Sequence, residues 1–292
     1  MNELGQFLGN GLTLGCIYAL MASGLTLVFG YMGVVNFAHG EFYMLGAYLA
    51  YTTTRLLGMP FFLALVVSAA SAAVIGLVVD RLVLRPLRAH GRIEMPMLAT
   101  IGLAIMLPNL AIILWNPVPK TVDSPVSGST IDLLVMQITP QSLFVIGAAA
   151  ASIIAAHLFI SRTRAGLTMR GTFQDPMASW LMGVNVGRVY ALTFAFGALL
   201  AAISGVLIST VFQVTPTMGA LATAKSFVVV ILGGLGSFPG AIAGGLLLGL
   251  VESLGAGYVS AAYEDSIGLL MLVAVLLLRP QGLFGAAKTV QE

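Results

Sequence analysis

Ionisable side chains are scarce in this chain, so each one that interrupts an apolar stretch is a candidate for chemistry. His39 and Glu41 lie two residues apart at the start of an apolar run. On a helix, side chains two positions apart point in different directions, so this pair is poorly placed to bind one metal ion. The pair is either a polar cap at a helix start in the membrane interface or part of the wall of a path through the membrane.

Lys225 and Glu252 form a second pair of candidates, because apolar residues flank both of them. A charge at membrane depth is costly, so such groups usually face a cavity, the interface or each other. Lys225 could alternatively extend its ammonium group to the membrane surface. A salt bridge between the two side chains is a further alternative that the sequence leaves open.

Motifs of hydrolytic enzymes and of nucleotide-binding proteins are absent from the sequence. It contains no HExxH, no GxSxG and no phosphate-binding loop, and the glycine-rich residues 233–237 lack the lysine of such a loop. An intramembrane enzyme would need a plausible catalytic pair, and none is present. We therefore expect no catalytic site, no metal site, no cofactor on this chain and no nucleic-acid partner.

The composition classifies the chain as an integral membrane protein. Of its 292 residues, 59% are hydrophobic and only 8% are charged, whereas soluble domains carry about a quarter charged residues. Its 34 glycines suit closely packed membrane helices, and the single cysteine, Cys16, excludes an internal disulfide. We expect one transmembrane domain over residues 1–292, without an additional soluble domain.

The candidate side chains must be positioned by membrane helices, each of which needs about 20 mostly apolar residues. The candidate runs are residues 8–29, 37–54, 61–79, 97–115, 141–160, 189–211, 227–232, 241–254 and 266–278. Because 227–232 is too short to span, we expect 227–254 to be a hairpin or a re-entrant pair broken at its glycines. The predicted fold is an all-α bundle of about eight to nine membrane segments with broken or re-entrant helices.

A second break is predicted near residues 31–41, where Asn36, His39 and Glu41 separate two apolar runs. Non-helical backbone at membrane depth is tolerated only inside protein or along a water-filled cavity. In transporters, such breaks often mark the substrate path. Each half of the chain therefore contains one glycine-interrupted apolar region, which hints at a duplicated architecture.

Of the 13 lysine and arginine residues, all but Arg55, Lys120 and Lys225 fall in three clusters, at residues 81–92, 162–188 and 279–288. Loops rich in these residues usually lie on the cytoplasmic side. This rule places the three clusters and the C-terminus in the cytoplasm and the loop 116–139 outside. The N-terminus lies outside as well if the first two runs both cross.

A polar island, residues 161–188, separates two membrane-length runs and holds several of these arginines. Its apolar residues recur at steps of three and four, as on one helix face: Met169, Phe173, Met177, Trp180 and Val184. Asp175-Pro176 is typical of an N-cap followed by proline, so we expect two short helices to meet there. The island is either a docking handle for a soluble partner or an amphipathic helix in the membrane interface.

Three ordered motifs resemble the permeases of branched-chain amino-acid ABC importers. They are Asn36-Phe37-Ala38-His39-Gly40-Glu41, continued to Tyr48; Lys225 to Glu252, with Gly233-Gly234-Leu235-Gly236-Ser237; and Arg279-Pro280-Gln281-Gly282-Leu283-Phe284-Gly285. The resemblance covers nearly the whole chain. The length and the first motif are similar to the LivH-type subunit rather than to the longer LivM-type subunit.

The resemblance implies a multi-subunit importer in the bacterial inner membrane. Its other components would be a second, LivM-type permease, two cytoplasmic ATPases that bind ATP and Mg²⁺, and a periplasmic solute-binding protein. This chain would form a path for branched-chain or related amino acids and would hydrolyse nothing itself.

The resemblance also implies roles for individual residues. The polar island would contain the cytoplasmic coupling helix that contacts the ATPase, with Arg164, Gly166, Arg170, Asp175, Pro176, Ala178 and Gly183. The substrate path would involve Asn36, His39, Gly40, Glu41, Gly233, Gly234, Gly236, Ser237 and Gly240, supported by Lys225 and Glu252. The chain departs from the family pattern at Gly171 and Ser226, where alanine is usual.

Two alternatives to this function stay open at the sequence level. A member of the same family could import urea, short amides or small carboxylates, because the receptor largely chooses the cargo. A stand-alone secondary transporter or channel is the other, and it would need ionisable groups within its spans for ion coupling. Only Glu41, Arg55, Lys225 and Glu252 are available for that role.

Overall fold

A computed structural model describes residues 2–88, 94–126, 131–133 and 136–285 of the chain. In these residues the α-helices, in chain order, are α1 (Asn2–Met32), α2 (His39–Tyr51), α3 (Phe61–Val79), α4 (Arg85–Arg88), α5 (Glu94–Trp115), α6 (Pro140–Arg162), α7 (Arg164–Gln174), α8 (Pro176–Leu181), α9 (Val186–Ile208), α10 (Met218–Gly233), α11 (Phe238–Tyr258) and α12 (Glu264–Leu278). Two π-helical turns, Thr52–Leu56 and Asp80–Leu84, extend α2 and α3.

Seven helical segments of the described chain are long and apolar enough to cross a membrane. They are Glu3–Met32, Phe61–Arg88, Glu94–Trp115, Pro140–Arg162, Val186–Ile208, Phe238–Tyr258 and Ala261–Leu278. Two shorter helices, α2 and α10, lie among them. The described chain is thus mainly helical, as predicted, with seven candidate spans where eight to nine membrane segments were expected. The exception is a small antiparallel hairpin of β1 (Ile131–Leu133) and β2 (Met136–Ile138) in the loop before α6.

Helix α1 lies at the centre of the bundle. In the most apolar stretch of α1, 83% of the residues are buried inside the protein. The corresponding value for the last span, Ala261–Leu278, is 6%, so α12 lies at the periphery. Glycines allow the close approach of neighbouring helices: a Cβ at Gly15 would stand 2.9 Å from Leu246 Cα of α11, and one at Gly24 would stand 2.8 Å from Gly197 O of α9. This is the small-residue packing expected of membrane helices.

The chain turns back into the bundle after α1. Residues 33–38 are not helical, and His39, the first residue of α2, bonds to the carbonyl of Met21. Met21 lies eleven residues before the end of α1, which is about 16 Å along the helix axis. The predicted first break is therefore confirmed, and α2 begins deep within the protein.

The second break separates α10 from α11, but α10 is longer than the sequence indicated. The apolar run 227–232 was predicted to be too short to span, whereas the helix begins at Met218 and has 16 residues. Its first turns are small or weakly polar and pack on α2, where a Cβ at Gly40 would overlap Gly219 O. Hydropathy did not detect these turns, because their small and weakly polar residues give a weaker apolar signal than the run 227–232.

The two ends of the bundle differ in character. At one end, here called the basic end, α7 and α8 connect α6 to α9, and Arg81 and Arg85 lie beside Arg188. At the other end, the loop after α5 pairs with the loop after α9 through mutual backbone bonds of Lys120 and Val214, 2.8 and 3.0 Å long. Arg92 and Lys288, which belong to the predicted basic clusters, lie outside the described residues.

Candidate functional site

The α7–α8 segment, residues 164–183, begins at a capped corner below α6. The Thr163 hydroxyl accepts a hydrogen bond from Gly166 N at 3.0 Å and donates one to Phe159 O at 2.6 Å. A Cβ at Gly166 would overlap the backbone of Ile160, so only glycine allows this tight entry. Arg164 is the exposed first residue of α7, and Arg170 donates to Ser161 O at 3.3 Å.

A second corner separates α7 from α8, where two short helices were predicted to meet. Asp175 Oδ1 accepts hydrogen bonds from the amides of Met177, at 2.8 Å, and Ala178, at 2.9 Å, and Pro176 is the first helical residue. After α8, Gly183 has a φ of +84°, a conformation that suits glycine best. The prediction of a capped junction is confirmed, and the candidate coupling residues occupy one continuous segment.

Large apolar side chains project from this segment. A patch, here called the α7–α8 patch, consists of side chains that are 50 to 84% exposed: Phe173, Met177, Trp180, Leu181 and Met182. Exposed apolar clusters of this kind mark interaction surfaces. The prediction of one shared helix face from Met169 to Val184 was wrong, because the corner at Asp175 reorients α8, while Met169 is buried beneath α7.

The α7–α8 segment is attached to the centre of the bundle. Helix α7 packs against α6, α9 and the end of α1. The ring of Phe173 lies on that of Tyr31 with centroids 5.5 Å apart. Tyr31 is the penultimate residue of α1 and directly precedes the first break, so the segment contacts the point where the central helix ends.

The polar residues of the first break are enclosed by protein. Asn36, His39 and Glu41 are each at most 1% exposed, so none of them faces lipid, solvent or an open path in this structure. His39 Nε2 donates to Met21 O at 3.0 Å, and Gly40 N donates to the Thr223 hydroxyl of α10 at 2.9 Å.

The Glu41 carboxylate lies against Gly219, the second residue of α10. A Cβ at Gly219 would stand 2.7 Å from Glu41 Cδ. In the described part of the chain, Glu41 Oε2 has no hydrogen-bond partner. A buried carboxylate oxygen without a hydrogen-bond partner is costly. Glu41 therefore lowers the stability of this packing.

The glycines of the second break form a tight turn at the basic end of α10. Gly234 and Gly236 have φ values of +101° and +82°, and the Ser237 hydroxyl caps α11 by accepting from Gly240 N at 3.1 Å. Gly233 and Gly240 lie so close that a Cβ on either would overlap the other's backbone.

The chain after α12 closes this turn. The amides of Leu283 and Phe284 donate to the carbonyls of Leu232 and Gly233 at 2.9 and 3.0 Å. They satisfy carbonyls that the end of α10 leaves without helical partners. The two groups of candidate path residues are not brought together, since Gly219 and Gly233 are fourteen residues apart on α10, about 21 Å along its axis.

Lys225 and Glu252 form the salt bridge that the sequence left open. Lys225 Nζ lies 2.7 Å from Glu252 Oε2 and 2.8 Å from Asp265 Oδ1, and the Glu252 side chain is 2% exposed. The network joins α10, α11 and α12. Asp265 was missed because it lies in the first turn of α12, where an acidic residue is expected for reasons of helix stability alone. In the described residues, no group of three or more acidic, histidine or cysteine side chains is placed to hold a metal ion.

Comparison with known proteins decides among the functional alternatives. Residues 7–276 match the family described as branched-chain amino acid transport system, permease component. The chain belongs to this family. It is 37% identical to the permease protein BraD of Pseudomonas aeruginosa over 295 residues, and 34% identical to LivH of Escherichia coli over 293 residues. In both cases 96% of this chain and 95% of the relative are covered.

Two less similar relatives are also named as permease proteins of transport systems. A probable LivH of Methanocaldococcus jannaschii is 29% identical over 98% of this chain and 94% of its own length. The fructose import permease FrcC of Rhizobium meliloti is 33% identical over 128 residues, or 40% of this chain. This family member is thus a membrane-embedded permease subunit of an ABC-type transport system.

Proposed function

We propose that this permease forms the LivH-type half of a path for branched-chain amino acids and that its α7–α8 segment docks the ATPase that drives transport. The cargo is supported by BraD and LivH, which are named as branched-chain amino acid permeases and match over nearly their whole length. The observation that carries the docking role is the exposed α7–α8 patch at the basic end.

The geometry favours a docking handle over a helix lying in the membrane interface. An interfacial helix presents one continuous apolar face to the lipid. Here the apolar side chains project from two helices of 11 and 6 residues, held at a fixed angle by the Asp175 cap. The inward face of α7 already packs on the bundle through Met169. A rigid corner with outward apolar side chains fits a groove on a soluble subunit.

The proposed topology has nine crossings. Helices α2 and α10 add two crossings to the seven long spans, although the 16 residues of α10 cover only about 24 Å of a core of about 30 Å. The N-terminus then lies outside and the C-terminus in the cytoplasm, with the basic end on the cytoplasmic side. The arginines at this end support the orientation.

In the proposed mechanism, the ATPases move the α7–α8 segment when they close on ATP and Mg²⁺, which this chain does not bind. Phe173 transmits the displacement to Tyr31 at the end of α1, next to the first break. The polar residues of that break, including His39 and Glu41, are enclosed in this structure, and the movement would expose them to the path. The glycine turn around Gly234 would act as its cytoplasmic hinge. A LivM-type permease would complete the path, and a periplasmic binding protein would deliver the solute.

Two observations argue against a stand-alone ion-coupled transporter. Lys225 and Glu252, two of the few ionisable groups in the spans, neutralise each other. In addition, an apolar handle outside the bundle has no role in such a protein. A different cargo, such as urea, short amides or small carboxylates, is not favoured, because the relatives that match over nearly their whole length are named as branched-chain amino acid permeases.

Reconstituted uptake tests the proposal. The permease would be assembled in proteoliposomes with the second permease and the two ATPases, and the binding protein would be added outside with radiolabelled leucine. We expect ATP-dependent uptake that isoleucine and valine inhibit and that urea, acetamide and fructose leave unchanged. Uptake of leucine without the ATPases, or inhibition by urea but not by valine, would contradict it.

A further inference from the structure

A cavity of about 390 Å³ opens at the basic end between α9 and the π-helical extension of α3. Three arginines converge on it: Arg81, Arg85 and Arg188. It belongs neither to the α7–α8 patch nor to either break. Nothing in the proposed transport mechanism uses it.

The chain itself balances the positive charge of this cavity only in part. Asp80 also lines the cavity, but its carboxylate lies 2.7 Å from Arg88 Nη2 and is fully buried in that ion pair. In the described part of the chain, none of the three arginines forms a salt bridge. Guanidinium groups recognise phosphate oxygens with paired hydrogen bonds, so this site is suited to a phosphate-bearing anion.

Local backbone geometry shapes the site. In the π-helical turn, Arg85 N bonds to Asp80 O, five residues back, and such bulges occur frequently at functional sites. The Arg85 side chain lies across the first turn of α9, where a Cβ on Gly187 would stand 3.6 Å from its Nε. The absence of a side chain at Gly187 therefore leaves room beside the guanidinium.

The remaining wall of the cavity is apolar. Leu77 and Leu192 lie on the spanning segments Phe61–Arg88 and Val186–Ile208, one or more turns inward from the arginines. Val74 and Val78 continue this apolar surface along α3 and are about half exposed. An occupant must therefore combine a negative group at the membrane surface with apolar chains that extend into the bilayer.

We propose that this cavity binds the headgroup of an anionic phospholipid, with its phosphate between Arg81, Arg85 and Arg188 and its acyl chains along α3 and α9. Basic pockets between membrane helices commonly hold such headgroups. The bound lipid would hold the first turn of α9, and so the exit of the α7–α8 segment, at the membrane surface.

Native mass spectrometry of the purified permease in detergent tests this site. Phosphatidylglycerol and phosphatidylcholine with the same acyl chains would be titrated against the wild type and the triple variant Arg81→Gln, Arg85→Gln, Arg188→Gln. Arg162→Gln is the control, since it removes an exposed arginine at the same end that does not line the cavity. We expect phosphatidylglycerol to bind the wild type and the control at least tenfold more tightly than the triple variant, and phosphatidylcholine to bind all three weakly.

A second variant keeps the test independent of charge and folding. Gly187→Leu preserves all three arginines and fills the space beside Arg85, and leucine is compatible with the first turn of a helix. We expect it to weaken phosphatidylglycerol binding several-fold. The proposal is overturned if phosphatidylglycerol binds Gly187→Leu and the triple variant as it binds the wild type, or if phosphatidylcholine binds equally well. Complete displacement of the lipid by millimolar inorganic phosphate would also overturn it, because the site would then need no acyl chain.

Discussion

Phe173 of α7 packs on Tyr31 at the end of α1, with ring centroids 5.5 Å apart and planes inclined by 39°. This contact joins the segment that carries the α7–α8 patch to the central helix of the bundle. Tyr31 and Met32 end α1 and the non-helical residues 33–38 follow them, so a displacement of α7 acts on the first break. The contact offers a physical route from the docking surface to the proposed path.

Truncation of the Tyr31 side chain should separate ATPase binding from the coupling of ATP hydrolysis to uptake. Tyr31→Ala should retain ATPase binding, since the α7–α8 patch is untouched, but should lower the uptake per ATP hydrolysed. An aromatic pair contributes about 0.5–1.5 kcal/mol, roughly a two- to tenfold change in an equilibrium between two states. Tyr31→Phe keeps the ring and should behave as the wild type. Equal coupling ratios in Tyr31→Ala and Tyr31→Phe would show that this contact transmits nothing.

Substitution of two glycines of the α7–α8 segment should change the stability of the protein in opposite directions. Gly183 has a φ of +84°, so Gly183→Val should cost at least about 1–2 kcal/mol and displace the end of α8. Gly171 lies within α7, where its Cβ would meet only Ser179 Oγ at 3.7 Å, so Gly171→Ala should stabilise the helix by about 0.5–1 kcal/mol. Thermal unfolding in detergent measures both changes. If both midpoints moved in the same direction, the assigned backbone geometry would be wrong.

The capped corner between α7 and α8 was predictable from the sequence. The face with which α7 packs on the bundle was not. Asp175-Pro176 is a local signal, because an N-cap and its proline are neighbours in sequence. The burial of Met169 is not local, since it depends on how α7 rests on α6, α9 and α1. A periodic apolar pattern alone cannot distinguish a helix face that packs on the bundle from one that is exposed and could bind another subunit.

Local sequence signals also explain which parts of α10 and of the Lys225 network could be predicted. Hydropathy detected the apolar part of each long span, the central α1 and α9 as well as the peripheral α12, and missed the first turns of α10, whose residues are small or weakly polar. Lys225 and Glu252 could be singled out as a pair, because charges in apolar runs need partners. Asp265 could not, since an acidic residue at a helix start needs no further explanation.

Removing one member of the Lys225 network should destabilise the bundle strongly. Lys225→Met leaves the buried Glu252 carboxylate without its partner, and breaking such a pair typically costs about 3–5 kcal/mol. Asp265 is two-thirds exposed, so Asp265→Asn should cost less than about 1 kcal/mol. The double variant Lys225→Met, Glu252→Gln should recover part of the loss. Thermal unfolding of the four proteins gives the comparison, and similar losses in both single variants would refute the assigned burial.

Packing between α2 and α10 should tolerate no side chain at Gly40. The Cβ of Gly40→Ala would overlap Gly219 O and approach the Thr223 hydroxyl, so we expect a loss of uptake and of thermal stability. Gly102→Ala is the control, since its Cβ would meet no atom within 4 Å, and it should be neutral or slightly stabilising. Normal uptake by Gly40→Ala would argue against a close α2–α10 contact in the working transporter.

The central claim is that the α7–α8 patch binds the ATPase, and co-purification in detergent tests it most directly. The permease would be co-expressed with the second permease and the ATPases, as the wild type, as Met177→Glu with Trp180→Glu, and as Phe212→Glu. Phe212 is similarly exposed but lies in the loop at the opposite end. We predict that the double variant loses at least tenfold in retained ATPase, while the wild type and Phe212→Glu retain it equally. Full retention by the double variant, with the permease folded, would contradict the account.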